Sequence, residues 1–235
     1  MYFLLKTSGG GGLLMDERQI SHSYEMQNQS KLVYFMLKRF IDFNLSLLGL
    51  IILSPVFLVL MIAIKLDSNG PIFYKHMRIG KDGKSLGVYK FRSMTTKYKT
   101  FDEFYQTLSD EQKKEWDENF KLEDDPRITR VGKFLRKSSL DELPQILNIL
   151  KGEMAIIGPR PVIEEELEKY KNDKEKFLSV LPGLTGYWAV NGRSSTTYQE
   201  RMAMELYYVD HCSLRLDIKI FLQTIKAVIK KEGAK

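Results

Sequence analysis

From Phe43 to Ile64 the chain runs for 22 residues without a charged side chain, and this stretch limits what the molecule can be. As a helix rising about 1.5 Å per residue it reaches about 33 Å, close to the thickness of a bilayer's hydrocarbon core. Ser54-Pro55 sits inside it. A proline there removes one helical hydrogen bond and kinks the chain, and the serine hydroxyl can satisfy the carbonyl left over. Each limb alone is about half a bilayer long. Lys38 and Arg39 precede the stretch and Lys65 follows it, so positive flanks put both ends on one side of a membrane. A re-entrant helix-break-helix, broken at Ser54 and Pro55, fits these constraints best. A kinked span and the core helix of a soluble protein are the alternatives.

The other segments are more ordinary. Residues 70–94 hold two β-leaning runs, Ile72 to Lys75 and Val88 to Phe91, around the turn residues Gly80-Lys81-Asp82-Gly83, which predicts a hairpin. Residues 101–121 alternate acids, lysines and aromatics, with Ser109 as a helix N-cap. Toward the C-terminus, Leu214, Ile218, Phe221, Leu222, Ile225, Val228 and Ile229 share one helical stripe, and Arg215, Lys219, Lys226 and Lys230 another. That is the pattern of a helix lying in an anionic bilayer surface, though a helix packed on a core would show it too. The net charge of +6 favours phosphate-bearing partners. Nucleic acid is disfavoured, because no helix-turn-helix, zinc-finger or RRM signature accompanies the apolar stretch. A single cysteine, Cys212, rules out an intrachain disulfide.

The chemistry concentrates in SSLDELPQILNILKGEMAIIGPRP, residues 138–161. Ser139 and Glu142 have the spacing of a capping box, and Pro144 suits the first turn of a helix. Asp141 and Glu142 are therefore expected at a helix N-terminus, with Leu143, Ile146, Leu147 and Leu150 on its buried face. Two roles fit the pair. It can balance the helix dipole, an effect of about 0.3–1 kcal/mol, or one carboxylate, kept ionised there, can attack phosphorus. The second role needs cations to offset repulsion between anions. Arg127, Arg130, Lys133, Arg136 and Lys137 precede the pair and Arg160 follows it. Mg²⁺, which binds through one or two carboxylates plus substrate phosphates, would add to them.

In GPRP, Pro159 and Pro161 stiffen the segment that carries Arg160, so the arginine loses less entropy on gripping a phosphate. A plain turn with a solvated arginine is the competing reading. The loop LPGLTGYWAVNGRS, residues 181–194, offers Tyr187, Trp188 and Arg193 for stacking a base and touching phosphate, or simply for packing.

Taken together, the stretch from Lys38 to Met94, with its Ser-Pro break and predicted hairpin ending in KFRSM, DPRITRVGKFLRKSSLDELPQILNILKGEMAIIGPRP and PGLTGYWAVNGRS resemble the bacterial sugar transferase family, the monotopic phosphoglycosyl transferases. The likeness runs in order over about residues 36–233. It implies an α+β, mostly helical protein with a re-entrant membrane hairpin over 36–66 and a cytoplasmic catalytic domain over 67–235 with a small β-hairpin and interfacial amphipathic helices; ahead of it, the Gly9 to Gly12 run and the polar stretch through Ser30 make residues 1–35 read as a flexible tail. It further implies transfer of a sugar-1-phosphate from a UDP-sugar to undecaprenyl phosphate at the bacterial inner membrane, upstream of further glycosyltransferases. In that scheme Asp141 is the nucleophile, Glu142 holds Mg²⁺, and Arg92, Arg136, Pro159, Arg160, Pro161 and Arg193 line the phosphate sites. One departure is Ala189, where many members carry glutamine after the tryptophan. A non-catalytic, membrane-associated scaffold is the competing function.

Overall fold

The computed structural model describes residues 3–4, 14–15, 17–98, 100–119, 122–192 and 195–230. It divides into two compact units, Met1–Ile41 and Asp42–Lys235. The first holds a short antiparallel pair, β1 (Phe3–Leu4) and β2 (Leu14–Met15), and the start of helix α1 (Glu17–Asp67), which begins inside the segment expected to be a tail.

Helix α1 continues through Pro55, so the expected break at Ser54 and Pro55 does not end the helix. The hydrogen bonding explains why. A residue at position 55 would donate its N–H to the Ile51 carbonyl, and proline has none to give. The Ser54 hydroxyl donates to that same Ile51 carbonyl at 2.8 Å, so the orphaned acceptor is satisfied one residue away. Of the described helices only one stretch, Gln29–Asp67, is long and apolar enough to cross a membrane. Within the second unit Ile51, Ile52, Leu58, Val59 and Ile62 are exposed, whereas Phe57, Leu60 and Ile64 are buried with Phe91 and Leu135.

The C-terminal end of α1 is tied down by charge. Arg92 donates to the carbonyls of Ile64 (3.2 Å) and Ser68 (2.6 Å) and to the Ser68 hydroxyl (3.1 Å), satisfying the acceptors left at a helix end. Asp67 accepts the Val131 amide at 3.0 Å, at the start of helix α4 (Arg130–Ser138).

The expected hairpin is present as β3 (Phe73–Ile79) and β4 (Ser85–Phe91), antiparallel and in register from Phe73 opposite Phe91 to Ile79 opposite Ser85. Asp82 and Gly83 adopt the left-handed backbone at its turn. Helices α2 (Phe101–Tyr105) and α3 (Asp110–Asn119) follow, and Ser109 caps α3 by accepting the Gln112 amide, as its sequence suggested.

Helix α5 (Gln145–Lys151) packs under β4. Its buried face is Gln145, Ile146, Asn148 and Ile149, so Ile146 of the expected stripe is buried and Leu143 packs on the core, whereas Leu147 and Leu150 are only half-buried. Asn148 is the reason for the difference. Completely buried, it accepts the Tyr89 amide at 2.9 Å and donates to the Gly87 carbonyl at 2.9 Å and to Glu153 at 2.7 Å, so every strong hydrogen-bonding group it buries finds a partner on β4 or nearby.

A second sheet is parallel: β5 (Ala155–Ile157) beside β6 (Gly183–Thr185), separated in the chain by helices α6 (Glu164–Leu167) and α7 (Lys174–Leu178). The two strands approach so closely that a methyl group on Gly183 would stand 2.1 Å from the Gly158 nitrogen. Helices α8 (Tyr187–Asn191), α9 (Tyr198–His211) and α10 (Leu214–Lys230) complete the chain. Tyr208 on α9 donates to the Ile157 carbonyl or the Asp217 carboxylate, at 3.2 and 2.8 Å, and Ile220 of α10 is buried against Ile157. Ile218, Phe221, Leu222 and Ile225 of α10 remain exposed, so much of the apolar stripe seen in the sequence faces outward and a different edge of the helix meets the core.

Candidate active site at the end of the hairpin

Asp141 and Glu142 occupy a short 3-10 turn, Leu140–Glu142, between α4 and α5. The expected capping box is absent. Ser139 adopts a left-handed conformation (φ 56°) that ends α4, and its side chain makes no cap bond; Pro144 is the N-cap of α5 instead of lying within its first turn. The two carboxylates approach Lys90 of β4. The turn is anchored by Leu140 and Leu143, which pack on the cluster of Phe57, Leu60, Ile64, Phe91 and Leu135.

Lys90 was not singled out in the sequence, yet its ammonium is the group that joins the pair. It lies 2.8 Å from Glu142 Oε1 and 3.7 Å from Asp141 Oδ2. The first is a charge-assisted hydrogen bond; the second exceeds hydrogen-bond range, so Lys90 lends Asp141 positive potential without tying up that oxygen. Asp141 is also the more sheltered of the two, with 14% of its side chain exposed against 27% for Glu142. Burial pushes the Asp141 carboxyl above its usual range and Glu142 adds to the rise, while Lys90 and Arg136 pull against it. Arg136 is held nearby by its Nε bond to the Ser93 hydroxyl at 2.9 Å.

The hairpin carries more charge on the face that bears Lys90, which stands opposite Tyr74 in the register, with His76 and Arg78 following on β3. Burial holds the His76 imidazole below its ordinary value, and the Arg78, Lys90 and Arg160 charges act in the same direction. His76 thus lies within the fields of Lys90 on β4 and of Arg160 in the Pro-Arg-Pro turn.

At the second turn, Gly158 donates to the Thr185 carbonyl (2.9 Å) and Pro159 accepts from Gly183 (2.8 Å), so β6 grips the chain on either side of the Gly-Pro bond. The Arg160 amide donates to Glu205 on α9 at 3.1 Å. Glu205 is 1% exposed, and burial pushes its carboxyl up to about 7, against the Arg160 amide and the charges of Arg201 and Arg160. Arg201 pairs with Glu166 at 3.1 Å, and Glu166 pairs also with Arg78 at 3.2 Å.

The remaining expected residues divide. Arg92 spends its guanidinium on the end of α1, and Arg127 is bidentate to Asp125 and stacked over Phe104 at 4.0 Å. Lys133 pairs with Asp124. Trp188 has the Arg201 guanidinium 4.7 Å from its ring centre and donates its indole N–H to Thr196, so one ring face is already taken. Arg193 lies outside the described residues. Glu205, Lys90 and His76 are the polar residues that the sequence reading passed over.

Residues 33–231 match the family described as bacterial sugar transferase. An exopolysaccharide production protein of Sinorhizobium fredii is 46% identical over 84% of this chain and 87% of its own length. A UDP-galactose-lipid carrier transferase of Erwinia amylovora is 44% identical, and an undecaprenyl-phosphate galactose phosphotransferase of Salmonella typhimurium 42% identical, each over 84% of this chain. Here the chain spans 41% of the relative's length in both cases.

Proposed function

This chain belongs to the bacterial sugar transferase family, and we propose that it transfers a sugar-1-phosphate from a UDP-sugar to undecaprenyl phosphate at a membrane surface. The observation that carries the reading is the sheltered Asp141 beside Glu142, with Lys90 spanning both.

In the first step an Asp141 carboxylate oxygen attacks the phosphorus that bears the sugar. The P–O bond to the bridging oxygen breaks, and UMP leaves with that oxygen and its electron pair. In the second, an oxygen of the lipid phosphate attacks the same phosphorus and the Asp141 carboxylate is released. The covalent intermediate lets a soluble donor and a membrane-bound acceptor use one site in turn. Lys90 and Arg136 oppose the charge that accumulates as two anions meet. Arg160, stiffened by its flanking prolines, grips a phosphate of the donor.

Among the described residues no group of three or more His, Cys, Asp or Glu is placed to hold a metal ion by itself. Asp141 and Glu142, two carboxylates on one short turn, fit Mg²⁺, which needs only one or two carboxylates and takes its other ligands from substrate phosphates and water. Glu142 is the residue that would hold it, and bound Mg²⁺ would neutralise charge on the transferring phosphoryl group.

For residues 36–66 we favour a path that enters and leaves the cytoplasmic leaflet of the inner membrane on one side. The positive flanks Lys38, Arg39 and Lys65 support this, and the Ser54–Ile51 bond satisfies the carbonyl at Pro55 whether the segment bends or runs on in lipid. The exposed apolar stripe of α10, edged by Lys219 and Lys226, suits the same surface. Cysteines placed beside Lys38 and beside Lys65 are expected to react with an impermeant maleimide from the cytoplasmic side only; labelling from opposite sides would establish a span.

Incubation with a panel of UDP-sugars, undecaprenyl phosphate and Mg²⁺ tests the reaction. One donor is expected to release UMP and to yield a lipid-linked sugar for glycosyltransferases to extend. Release from none would favour the scaffold.

A further inference from the structure

Pro159-Arg160-Pro161 possesses a single backbone N–H, that of Arg160, since proline has none. Water or any neighbouring acceptor could take it; the fold gives it to the buried carboxylate of Glu205, 45 residues away on α9. Such a placement has a cost, because the other carboxylate oxygen, Oε2, is buried with no hydrogen-bond partner. Buried polar groups of this kind are retained where they fix a geometry that matters.

We propose that Glu205 is the positioning residue of the Pro-Arg-Pro turn, holding the Arg160 backbone so that its guanidinium meets a phosphate of the sugar nucleotide. The inference rests on the function proposed above for the identity of that phosphate, while the positioning itself does not. Three elements hold the turn. Strand β6 fixes Gly158 and Pro159 through Thr185 and Gly183, helix α9 fixes Arg160 through Glu205, and Ile79 donates to the Val162 carbonyl at 2.8 Å just beyond Pro161. Removing the middle contact alone leaves the arginine free to swing about anchored ends.

The charge of Glu205 is not what the turn uses. The groups acting on its carboxyl are the Arg160 amide and guanidinium, Arg201 and Tyr198 on its own helix, and Tyr170, whose buried hydroxyl, like Arg201 Nε and Nη2, has no hydrogen-bond partner. Whether ionised or protonated, Oε1 remains an acceptor for the amide. Glutamine offers the same oxygen and the same volume.

Hydrogen exchange and kinetics on the full chain separate these roles. In Glu205→Leu the Arg160 amide, the one exchangeable amide between the two prolines, is expected to exchange at least ~10-fold faster, and KM for the UDP-sugar to rise ~10- to 100-fold with a smaller change in kcat. Glu205→Gln should restore both to within about threefold of the parent. Arg160→Ala should raise KM to a similar degree, and the Arg160→Ala, Glu205→Leu double variant should be no worse than either, since both remove one interaction. If circular dichroism shows that the leucine variant does not fold, Glu205→Asp, one methylene short of the amide, replaces it with the same expected outcome. Unchanged amide exchange, a glutamine variant as impaired as the leucine one, or losses that multiply in the double variant would each overturn the proposal. A parent protein that releases no UMP from any UDP-sugar would instead sink the assigned reaction, and amide exchange would still decide the positioning.

Discussion

Asp141→Asn is expected to reduce UMP release from the UDP-sugar by at least about 10³-fold, into the range seen when a nucleophile is deleted from an enzyme that retains its other contacts. The substitution is nearly isosteric and the side chain is only partly exposed, so the fold survives. Burial raises the Asp141 carboxyl above 3.8, so the neutral amide also removes a charge that the folded protein holds at some cost. Above the raised pKa that cost is present; it fades as pH falls through it, because the folded form binds the proton more tightly than the unfolded chain. Asp141→Asn should therefore melt no lower than the parent at pH 8 while being inactive. Intact-mass spectrometry of the parent after incubation with donor alone is expected to show one added sugar phosphate, mapped to the peptide that contains residue 141. A normal rate of UMP release from Asp141→Asn would assign the nucleophile elsewhere.

The second large effect is expected at Lys90. Two unit charges about 4 Å apart interact by about 4 kcal/mol at the effective dielectric of a partly buried site, and Lys90 lies 3.7 Å from Asp141 and 2.8 Å from Glu142. Lys90→Met retains much of the aliphatic stem and loses the ammonium. The Asp141 carboxyl then rises further, so the attacking form is lost at a higher pH. We expect kcat at neutral pH to fall on the order of 10²- to 10³-fold and the acidic limb of the rate profile to move upward, with partial recovery at alkaline pH. Lys90→Arg, which keeps the charge but changes the number and spacing of its donors, should fall between the two. A methionine variant whose pH profile matched the parent would show that Lys90 only pairs with Glu142.

These expectations also mark what the sequence disclosed. The apolar helix and the hairpin turn are local signals and appear where period and turn chemistry placed them, whereas the acidic pair sits in a 3-10 turn before α5 and the helix runs on through Pro55. Lys90 is 52 residues from its partner Glu142, and a lysine on a strand reads as a solvent-facing residue. It reaches the acidic turn because Asn148 clamps Tyr89 to α5, a buried polar contact that a hydrophobic pattern does not register. The same asparagine turned the helix so that Leu147 and Leu150 are only half-buried. Ser139 misled for a related reason: serine three residues before glutamate fits a capping box, and only the packing of Leu140 and Leu143 decides that the backbone goes left-handed there. At Pro55 the helix persists because a neighbouring hydroxyl replaces the missing donor.

The cluster that joins Phe57, Leu60 and Ile64 to Leu140 and Leu143 gives the long apolar helix a duty inside the fold. An anchor that merely moored the enzyme could be traded for any greasy helix of equal length. This helix supplies part of the floor beneath the turn that carries Asp141 and Glu142, so replacing it with a foreign apolar helix of equal length is expected to deprive that turn of its seat and to lower UMP release.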